Sequence, residues 1–438
     1  MNLKFSEKYD FVPRFFRQAI ANILANVMTP LASLISVIFL GHLDKIDNLA
    51  GVTLAGNILS FIFFILTFLR MSTTGVTAQA VGRDDREGIL LVGFRNGFLA
   101  LAIGSLLIML SYPLGELAFA LLNITDEFKA SAQTYFNITM LSAPANLLNM
   151  VILGWFLGRE KNLLVILLSV VGNVAKVVLD YVLIIRWGWE SLGAGTSSAI
   201  SQYLSLFVGL LFVFKEIQWQ EVQAIKAKIW QISEIKSSLK FNADILISNF
   251  FIIFASLLFN YEGTMMGTMI YTQNALLIQI CNLSVYILLG LSFSTETLLG
   301  NFKGQKVLDK LFPLAFVSFG SGLFVAVSIG GICWLFPHTI FGLLTNHYEL
   351  IENIEIYIPW LMLVLLFDAM NFMLDAQFLA LAEGSILRNM SMIAIVGFLP
   401  MTFVAMKYES NQILWLSLFL FLAIRAIMLG AKLPEKLR

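Results

Sequence analysis

Residues 163–185 of the chain read LLVILLSVVGNVAKVVLDYVLII. At about 1.5 Å per residue, a helix of this length crosses the ~30 Å hydrocarbon layer of a bilayer, and the run is apolar apart from two charges and a few small polar residues. The charges are Lys176 and Asp180, which share a helix face at positions i and i+4 and can pair. Because a charge at the bilayer centre costs at least about 2.5–3.5 kcal/mol, the pair is either a self-neutralised packing contact or a site inside the membrane.

The composition places the whole chain in the membrane class. Of 438 residues, 58% are hydrophobic and 13% are charged, against about 25% charged residues in soluble domains. The formal net charge is zero, so the chain offers no basic surface for nucleic acid. The two cysteines are too few for a thiolate metal site, and the three histidines, at positions 42, 338 and 347, lie at predicted outer loops. With no ATPase motif and no catalytic constellation, we expect no enzyme activity, no metal and no cofactor.

Hydrophobic runs separated by short polar breaks predict twelve transmembrane helices. Since twelve is even, both termini lie on one side of the membrane. Of the basic residues near span ends, 23 fall on the terminal side and four, Lys45, Lys129, Arg186 and Lys407, on the other, which places both termini in the cytoplasm. The predicted spans lie near residues 16–41, 49–71, 89–113, 131–157, 162–186, 192–214, 238–260, 272–297, 312–336, 354–381, 387–406 and 411–431.

The two halves of the chain share features at an offset of 222 residues, among them Asn149 and Asn371, which we take as candidate site residues. We expect an N-terminal six-helix bundle over 1–214, a charged cytoplasmic linker helix over 215–237 and a C-terminal six-helix bundle over 238–438. Two such bundles, related by a pseudo-two-fold axis along the membrane normal, are the architecture of many secondary transporters.

Phrases along nearly the whole chain carry a family resemblance. The most specific are LRMSTTGVTAQAVGR (69–83) and the neighbourhoods of Asp180 and Asp375. They resemble the multidrug and toxic compound extrusion (MATE) family, in particular its DinF-like branch. The resemblance implies an all-α membrane protein whose two six-helix bundles form a V. It also implies export of hydrophobic, often cationic compounds in exchange for H⁺ or Na⁺ by alternating access.

The first half departs from the family pattern at two positions. Ser36, in LISVIFLG (34–41), stands where the branch has a coupling carboxylate, and Lys176 stands where it often has asparagine. Asp180 is retained, and Ser198 matches a position where the family often places a hydroxyl facing that acid. An ammonium beside Asp180 suits Na⁺ poorly, because Na⁺ needs several oxygen ligands. Our hypothesis is that Lys176 is a built-in surrogate for the coupling cation, freed by loss of a proton or by a cationic substrate at Asp180.

The second half offers two further acids. Asp368 and Asp375 are seven residues apart, so they lie on roughly one face of the tenth span. Asp375 matches an acid of the DinF-like pattern, and Asp368 matches a functional aspartate of the NorM-like branch. Burial disfavours the charged form of a carboxyl, so either acid can carry a proton. The alternative is a structural role, with both acids bonded to Asn371 or neighbouring hydroxyls.

Together these features predict a MATE-like antiporter of the bacterial inner membrane that exports hydrophobic, cationic small molecules, with H⁺ favoured over Na⁺ as coupling ion. Its partners are the substrate, the ion and the bilayer, and we expect a monomer. Two alternatives stay open. One is a lipid-linked precursor flippase of the same superfamily, for which only Lys176 and Arg95 offer basic cavity residues. The other is a substrate-specific metabolite exporter.

Overall fold

The computed structural model describes residues 5–42, 46–120 and 126–437, and in this part of the chain the regular structure is entirely helical. Lys45, one of the basic residues counted above, lies outside the described residues. Eighteen α-helices occur in the described ranges: α1 (Phe5–Lys8), α2 (Val12–Gly41), α3 (Ile46–Ile65), α4 (Phe68–Gly82), α5 (Arg86–Ala120), α6 (Asp126–Met140), α7 (Ala143–Gly158), α8 (Asn162–Asp180), α9 (Glu190–Glu216), α10 (Trp219–Ile229), α11 (Ile232–Met265), α12 (Thr268–Gly304), α13 (Leu311–Leu335), α14 (Pro337–Gly342), α15 (Tyr348–Ile354), α16 (Ile358–Ala380), α17 (Gly384–Tyr408) and α18 (Asn411–Leu437).

The number of spans agrees with the sequence prediction. Eleven helical segments of the described chain are long and apolar enough to cross a bilayer, and α6 with α7 forms a twelfth, bent by 50° between the two helices. Pro144 lies in the first turn of α7, where its missing N–H removes no helical hydrogen bond. The prediction of an all-α membrane protein with twelve spans is therefore confirmed.

The second span is longer than predicted. α3 and α4 are separated by two residues but together form one apolar segment of 35 residues, whereas the prediction ended at residue 71. The residues of this span after position 71 are rich in hydroxyl groups, which lower the mean hydropathy but do not end the helix. The hydroxyls of Thr73 and Thr74 donate to backbone carbonyls one turn earlier, at 2.5 and 2.8 Å, so their polar groups are satisfied within the helix. Arg70 consequently lies in the interior of a span and not at its end.

The chain divides into two compact units. The N-unit comprises Leu24–Leu239, and the C-unit comprises Lys240–Arg438 together with the residues up to Ile23. The division falls inside α2, so the first turns of this helix group with the C-terminal half of the sequence.

The predicted linker region, 215–237, contains α10. Arg86 of α5 donates from Nε to the Glu221 carboxylate at 2.8 Å and from Nη2 to the backbone carbonyl of Glu216 at 2.6 Å. The hydrogen bond from Arg86 lowers the pKa of Glu221 to about 2. These contacts attach α10 to the N-unit, while the predicted bundle boundaries at residues 214 and 238 stay a prediction.

Within the N-unit, α4 and α7 pack backbone against backbone. A Cβ added at Gly154 would lie 2.6 Å from the carbonyl oxygen of Arg70, and one added at Gly158 would lie 2.7 Å from that of Thr74. Only glycine allows this approach, which small residues four apart commonly provide in membrane helices.

Within the C-unit, an amide pair joins α12 to α18. Asn274 and Asn411 donate to each other's side-chain oxygens at 2.8 and 2.9 Å, and the indole N–H of Trp415 donates to Asn274 at 2.9 Å. All three side chains are buried, so these bonds satisfy polar groups that lipid could not.

Candidate functional site

The acid at the end of α8 is the centre of a network in the N-unit. Asp180 is fully buried, and Lys176 donates to its Oδ2 at 2.8 Å. The hydroxyl of Ser36, on α2, donates to the same oxygen and accepts a hydrogen bond from Lys176 Nζ at 2.5 Å. The hydroxyl of Ser197, on α9, donates to Oδ1. The carboxylate therefore ties α2, α8 and α9 together with both of its oxygens bonded.

Two expectations about this network can be compared with its geometry. The predicted contact between Lys176 and Asp180 is present. The hydroxyl that reaches the acid from α9, however, belongs to Ser197 and not to Ser198, whose hydroxyl donates to the carbonyl of Ala194 at 3.0 Å. Adjacent helix positions differ by about 100° in direction, so an assignment that is one residue out selects the wrong face.

Directly after Asp180 the α-helical geometry of α8 ends and a wider turn follows. Tyr181–Arg186 form a π-helical turn that continues α8. Such widened turns are rare and occur frequently at functional sites, because they redirect the side chains on either side of them. Here the turn begins at the residue following the buried acid.

A cavity of about 450 Å³ lies beside this network, entirely within the N-unit. Lys176, Arg70, Asn149 and Ser198 are among its lining residues. The Asn149 amide donates to the backbone carbonyl and the side-chain oxygen of Gln202, at 2.9 and 3.0 Å. Three sequence-predicted residues, Lys176, Asn149 and Ser198, thus meet at one cavity, whose volume is in the range of about 300–1,000 Å³ typical of small-molecule sites.

A second network occupies the C-unit, and its centre is an arginine. Arg425 of α18 is 2% exposed. Its Nη2 donates to Asp375 at 2.6 Å, its Nη1 donates to Asn371 at 3.1 Å, and its Nε donates to Ser391 at 2.9 Å. Two of the predicted residues, Asp375 and Asn371, are therefore joined by a third that was not predicted. The guanidinium links α16, α17 and α18.

Asp368 lies two turns before Asp375 on α16, as the spacing predicted. It makes no hydrogen bond or salt bridge within the described part of the chain, and its side chain is half-buried. The alternative that Asn371 holds it is wrong, because the Asn371 amide donates to the carbonyls of Phe367 and Leu422 and accepts from Arg425. Asp368 is thus the acid of this helix with no bonded partner among those residues.

Sequence reasoning missed Arg425 and Arg70 for one reason. Both were counted as basic residues near the cytoplasmic ends of spans, yet Arg425 is buried against Asp375 and Arg70 lines the N-unit cavity. The signal was present, since each interrupts an apolar run just as Lys176 does. Removing both from the count leaves the asymmetry of charge in place.

Apolar segments of this number and length belong to a protein that crosses a membrane many times. A polar cavity among them, with ionisable side chains in its wall, gives a solute a place to bind within the bilayer. The class defined by these features is a multi-pass membrane transporter.

The chain belongs to the MatE family. The family model matches residues 21–182 and 245–404, which together are well over half of the chain. There is one match in each half, and the ends of the two matched segments are 222 residues apart, which is the offset of the predicted duplication. Members of this family are transporters, which bind small-molecule substrates and use a coupling ion. This chain is therefore a transporter and not an enzyme.

Individual relatives agree with this assignment. DNA damage-inducible protein F of Escherichia coli strain K12 is 29% identical over 413 residues, 94% of this chain and 90% of that protein. The probable multidrug resistance protein NorM of Thermotoga maritima is 23% identical over 333 residues, 75% of this chain and 71% of that protein. The resemblance to the DinF-like branch is confirmed.

Solved structures share the fold. A MOP superfamily transporter from Pyrococcus furiosus has a TM-score of 0.85 at 18% identity, with 97% of this chain and 95% of that chain covered. A multidrug resistance MATE family transporter in an outward-facing conformation gives the same values. At 18% identity these structures show the fold alone.

Proposed function

We propose that this chain is a secondary active exporter that moves amphipathic small molecules out of the cytoplasm in exchange for H⁺ and not Na⁺. It would act by alternating access, as a monomer in a bacterial inner membrane with both termini in the cytoplasm. The proposed residues are those of the two networks and the N-unit cavity.

The observation that carries the choice of ion is the place of the Lys176 ammonium. It lies 2.8 Å from Asp180 and 2.5 Å from Ser36, among the oxygens that a bound Na⁺ would need. An ammonium already bonded there supplies the positive charge that a coupling cation would bring. We infer that Lys176 acts as the surrogate cation of the N-unit and that this unit does not respond to Na⁺.

The coupling proton is assigned to the acids of α16. Asp368 has no bonded partner among the described residues, and the side chain of Asp375 is 21% exposed although Arg425 holds one of its oxygens. A carboxylate that is neither fully bonded nor fully enclosed can exchange a proton with water. Asp180, with both oxygens bonded and no exposure, is the less accessible acid.

A flippase for a lipid-linked precursor is the second candidate, because such a substrate favours a basic cavity. Arg95, the residue expected to contribute, lies elsewhere: its guanidinium donates to the backbone carbonyls of Lys228 and Ile229. Arg70 instead joins Lys176 at the cavity. This observation supports the second candidate.

The test of coupling is efflux from reconstituted vesicles under imposed gradients. A fluorescent substrate is first selected from cationic, neutral and anionic amphiphiles, and its efflux is then measured with a pH gradient or with an equal Na⁺ gradient. We expect stimulation by the pH gradient alone. Asp368→Asn and Asp375→Asn should each abolish it. Asp85→Asn, at a side chain that is 41% exposed, should not.

A double variant tests the assignment of Lys176 as the surrogate cation. Lys176→Asn combined with Ser36→Asp should restore oxygen ligands around Asp180 and make efflux respond to Na⁺. Strong Na⁺ stimulation of the parent protein that Asp180→Asn removes would contradict the assignment. Normal pH-driven efflux in both α16 variants would place the proton elsewhere.

A further inference from the structure

The orientation of the Asn149 amide determines what this residue offers to a ligand in the N-unit cavity. Its nitrogen donates to the backbone carbonyl of Gln202 at 2.9 Å and to the side-chain oxygen of the same residue at 3.0 Å. A backbone carbonyl only accepts hydrogen bonds, so the amide cannot be turned over without losing this contact. The side-chain oxygen of Asn149 is therefore left for another partner.

That oxygen is buried without a hydrogen bond. Asn149 is 5% exposed, and its Oδ1 has no hydrogen-bond partner in the part of the chain that the structure describes. The residue lines the N-unit cavity. A buried acceptor without a partner costs free energy, which a hydrogen-bond donor that enters the cavity would recover.

A second residue of the cavity wall, Thr139 of α6, shows the same pattern. A threonine inside a helix commonly donates to the carbonyl one turn earlier, as Thr134 of the same helix does to Ala130 at 2.8 Å. The hydroxyl of Thr139 makes no hydrogen bond within the described ranges, although the residue is only 8% exposed. Because its hydrogen is not used, this hydroxyl can both accept from a ligand and donate to it.

Serine hydroxyls of the same wall offer acceptors. Each of those named below donates its hydrogen to a backbone carbonyl, so it can still give a ligand an oxygen lone pair. They are Ser60, Ser142, Ser198, Ser201 and Ser205, with donor–acceptor distances of 2.6–3.3 Å. Leu59, Phe63 and Leu153 give the cavity an apolar surface as well. The wall thus combines hydrogen-bond acceptors with a surface that suits a hydrophobic body.

We propose that the N-unit cavity selects amphipathic molecules by a hydrogen-bond donor, a hydroxyl or an N–H group, which binds to Asn149 Oδ1. Thr139 bonds to a polar atom of the same molecule, and the apolar wall holds its hydrophobic part. A protonated amine carries such a donor and a quaternary ammonium does not, so the expected cationic substrates are bound only when they keep an N–H group. This selection rests on the proposed export function, because it defines the chemical class of the exported molecule.

Binding to the purified full chain in nanodiscs of zwitterionic lipid tests this selection. Calorimetric titration compares 2-naphthol with 2-methoxynaphthalene, which share a ring system, are uncharged at neutral pH and differ in whether the oxygen carries a hydrogen. Titration of empty nanodiscs corrects for partition of each probe into the lipid. We expect 2-naphthol to bind to the parent about two- to tenfold more tightly, which is the range that one hydrogen bond gives.

Asn149→Leu removes the acceptor, so the two probes should then bind with equal affinity. Asn137→Leu is the matched control, since Asn137 belongs to the same unit but does not line the cavity. Its side-chain oxygen accepts from Gln133 at 3.1 Å. In this control the preference for 2-naphthol should be the same as in the parent.

A second variant tests the other buried oxygen. Thr139→Val, a nearly isosteric change, should weaken the binding of 2-naphthol severalfold, and it serves if Asn149→Leu does not fold. Thr134→Val is its control, because the hydroxyl of Thr134 bonds to its own helix and the residue lies outside the cavity wall. This control should bind 2-naphthol as the parent does.

A second pair of uncharged probes, 2-naphthamide and its N,N-dimethyl derivative, repeats the comparison with an N–H donor. A preference for the donor in either pair that Asn149→Leu or Thr139→Val reduces supports the selection. Equal binding within both pairs would overturn it and leave the two buried oxygens to water, and so would a preference that neither variant alters.

The outcome for this selection is separate from the outcome for export. Because binding needs no gradient, a preference for donors without pH-driven efflux would refute only the proposed coupling. Efflux driven by the pH gradient without any preference for donors would refute only the selection by Asn149.

Discussion

The two buried charge networks are built in opposite ways. In the N-unit the acid is the enclosed centre: Asp180 has no exposed side-chain surface, while its partner Lys176 is 17% exposed. In the C-unit the base is the enclosed centre: Arg425 is 2% exposed, while its partner Asp375 is 21% exposed. The ion pair of the first network joins residues a single turn apart on α8, and the ion pair of the second joins α16 to α18.

This difference suggests a division of work between the units. The group accessible from the N-unit cavity is an ammonium, which cannot accept a proton while it remains charged. The group accessible in the C-unit is a carboxylate, which can. A buried ion pair is weak evidence for stability in itself, but removal of one partner leaves an uncompensated charge. The enclosed centre of each network is therefore the residue whose loss matters most.

The largest loss of stability is expected when the centre of the C-unit network is removed. Arg425→Met leaves Asp375 charged without its guanidinium and removes donors from Asn371 and Ser391, so we expect a loss of about 3–5 kcal/mol in unfolding free energy. Unfolding of the purified protein in mixed micelles measures it.

A double-mutant cycle tests whether that loss comes from the unpaired charge of Asp375. Asp375→Asn added to Arg425→Met should recover part of the loss, because no unpaired charge then remains. Arg388→Met is the control, since Arg388 pairs with Asp244 at 2.6 Å but is 30% exposed, and its loss should cost less. Equal losses for the two arginines would remove the distinction between an enclosed centre and a peripheral pair.

A smaller effect is expected when the accessible partner of the N-unit network is removed. In Lys176→Met the acid keeps the hydroxyls of Ser36 and Ser197, so we expect a loss of about 1–3 kcal/mol in the same assay. Asp180→Asn added to it should recover stability. A loss as large as that of Arg425→Met would show that the hydroxyls do not compensate the charge.

The smallest effect is expected at the pair of Arg86, the first residue of α5, with Glu221 of α10, whose side chains are 39% and 26% exposed. Solvent screens such pairs, so Glu221→Gln should cost only about 0–1 kcal/mol. The pKa of Glu221 is about 2 in the folded protein against an ordinary 4.5, so the contribution is complete above pH 4.5 and is lost as pH falls towards 2.

Hydrogen exchange of α10 between pH 7 and pH 3 measures that pH dependence. Protection, corrected for the intrinsic exchange rate, should be constant down to about pH 5 and should decline below it, and the Glu221→Gln variant should show no such decline. A decline of the same size in the variant would assign the effect to other groups.

Most of the fold could be predicted from the sequence, because the length of an apolar run and the bilayer thickness together determine a span. The exceptions are local. The second span was ended too early at residue 71, since hydroxyls that bond to their own helix look polar in a hydropathy average. The break before α4 and the bend between α6 and α7 fall inside segments that a hydropathy average reads as continuous spans.

The candidate site was predicted in part. Lys176 and Asp180 could be paired because they lie on one helix, where spacing determines distance. The partner of Asp375 could not be found in this way, since Arg425 is fifty residues further along and on another helix. Ser197 was missed in favour of its neighbour Ser198, because a family resemblance gives a position but not the rotation of a helix.

The i, i+4 spacing of Lys176 and Asp180 also bears on how the protein is made. α8 carries its own neutralising pair, so it can enter the bilayer from the translocon before any other helix is in place. α18 has no such pair of its own, because Arg425 pairs with Asp375 on α16, a helix that is synthesised earlier. We therefore expect α18 alone to insert less efficiently than α8 alone, which a glycosylation-mapping assay in microsomes would reveal.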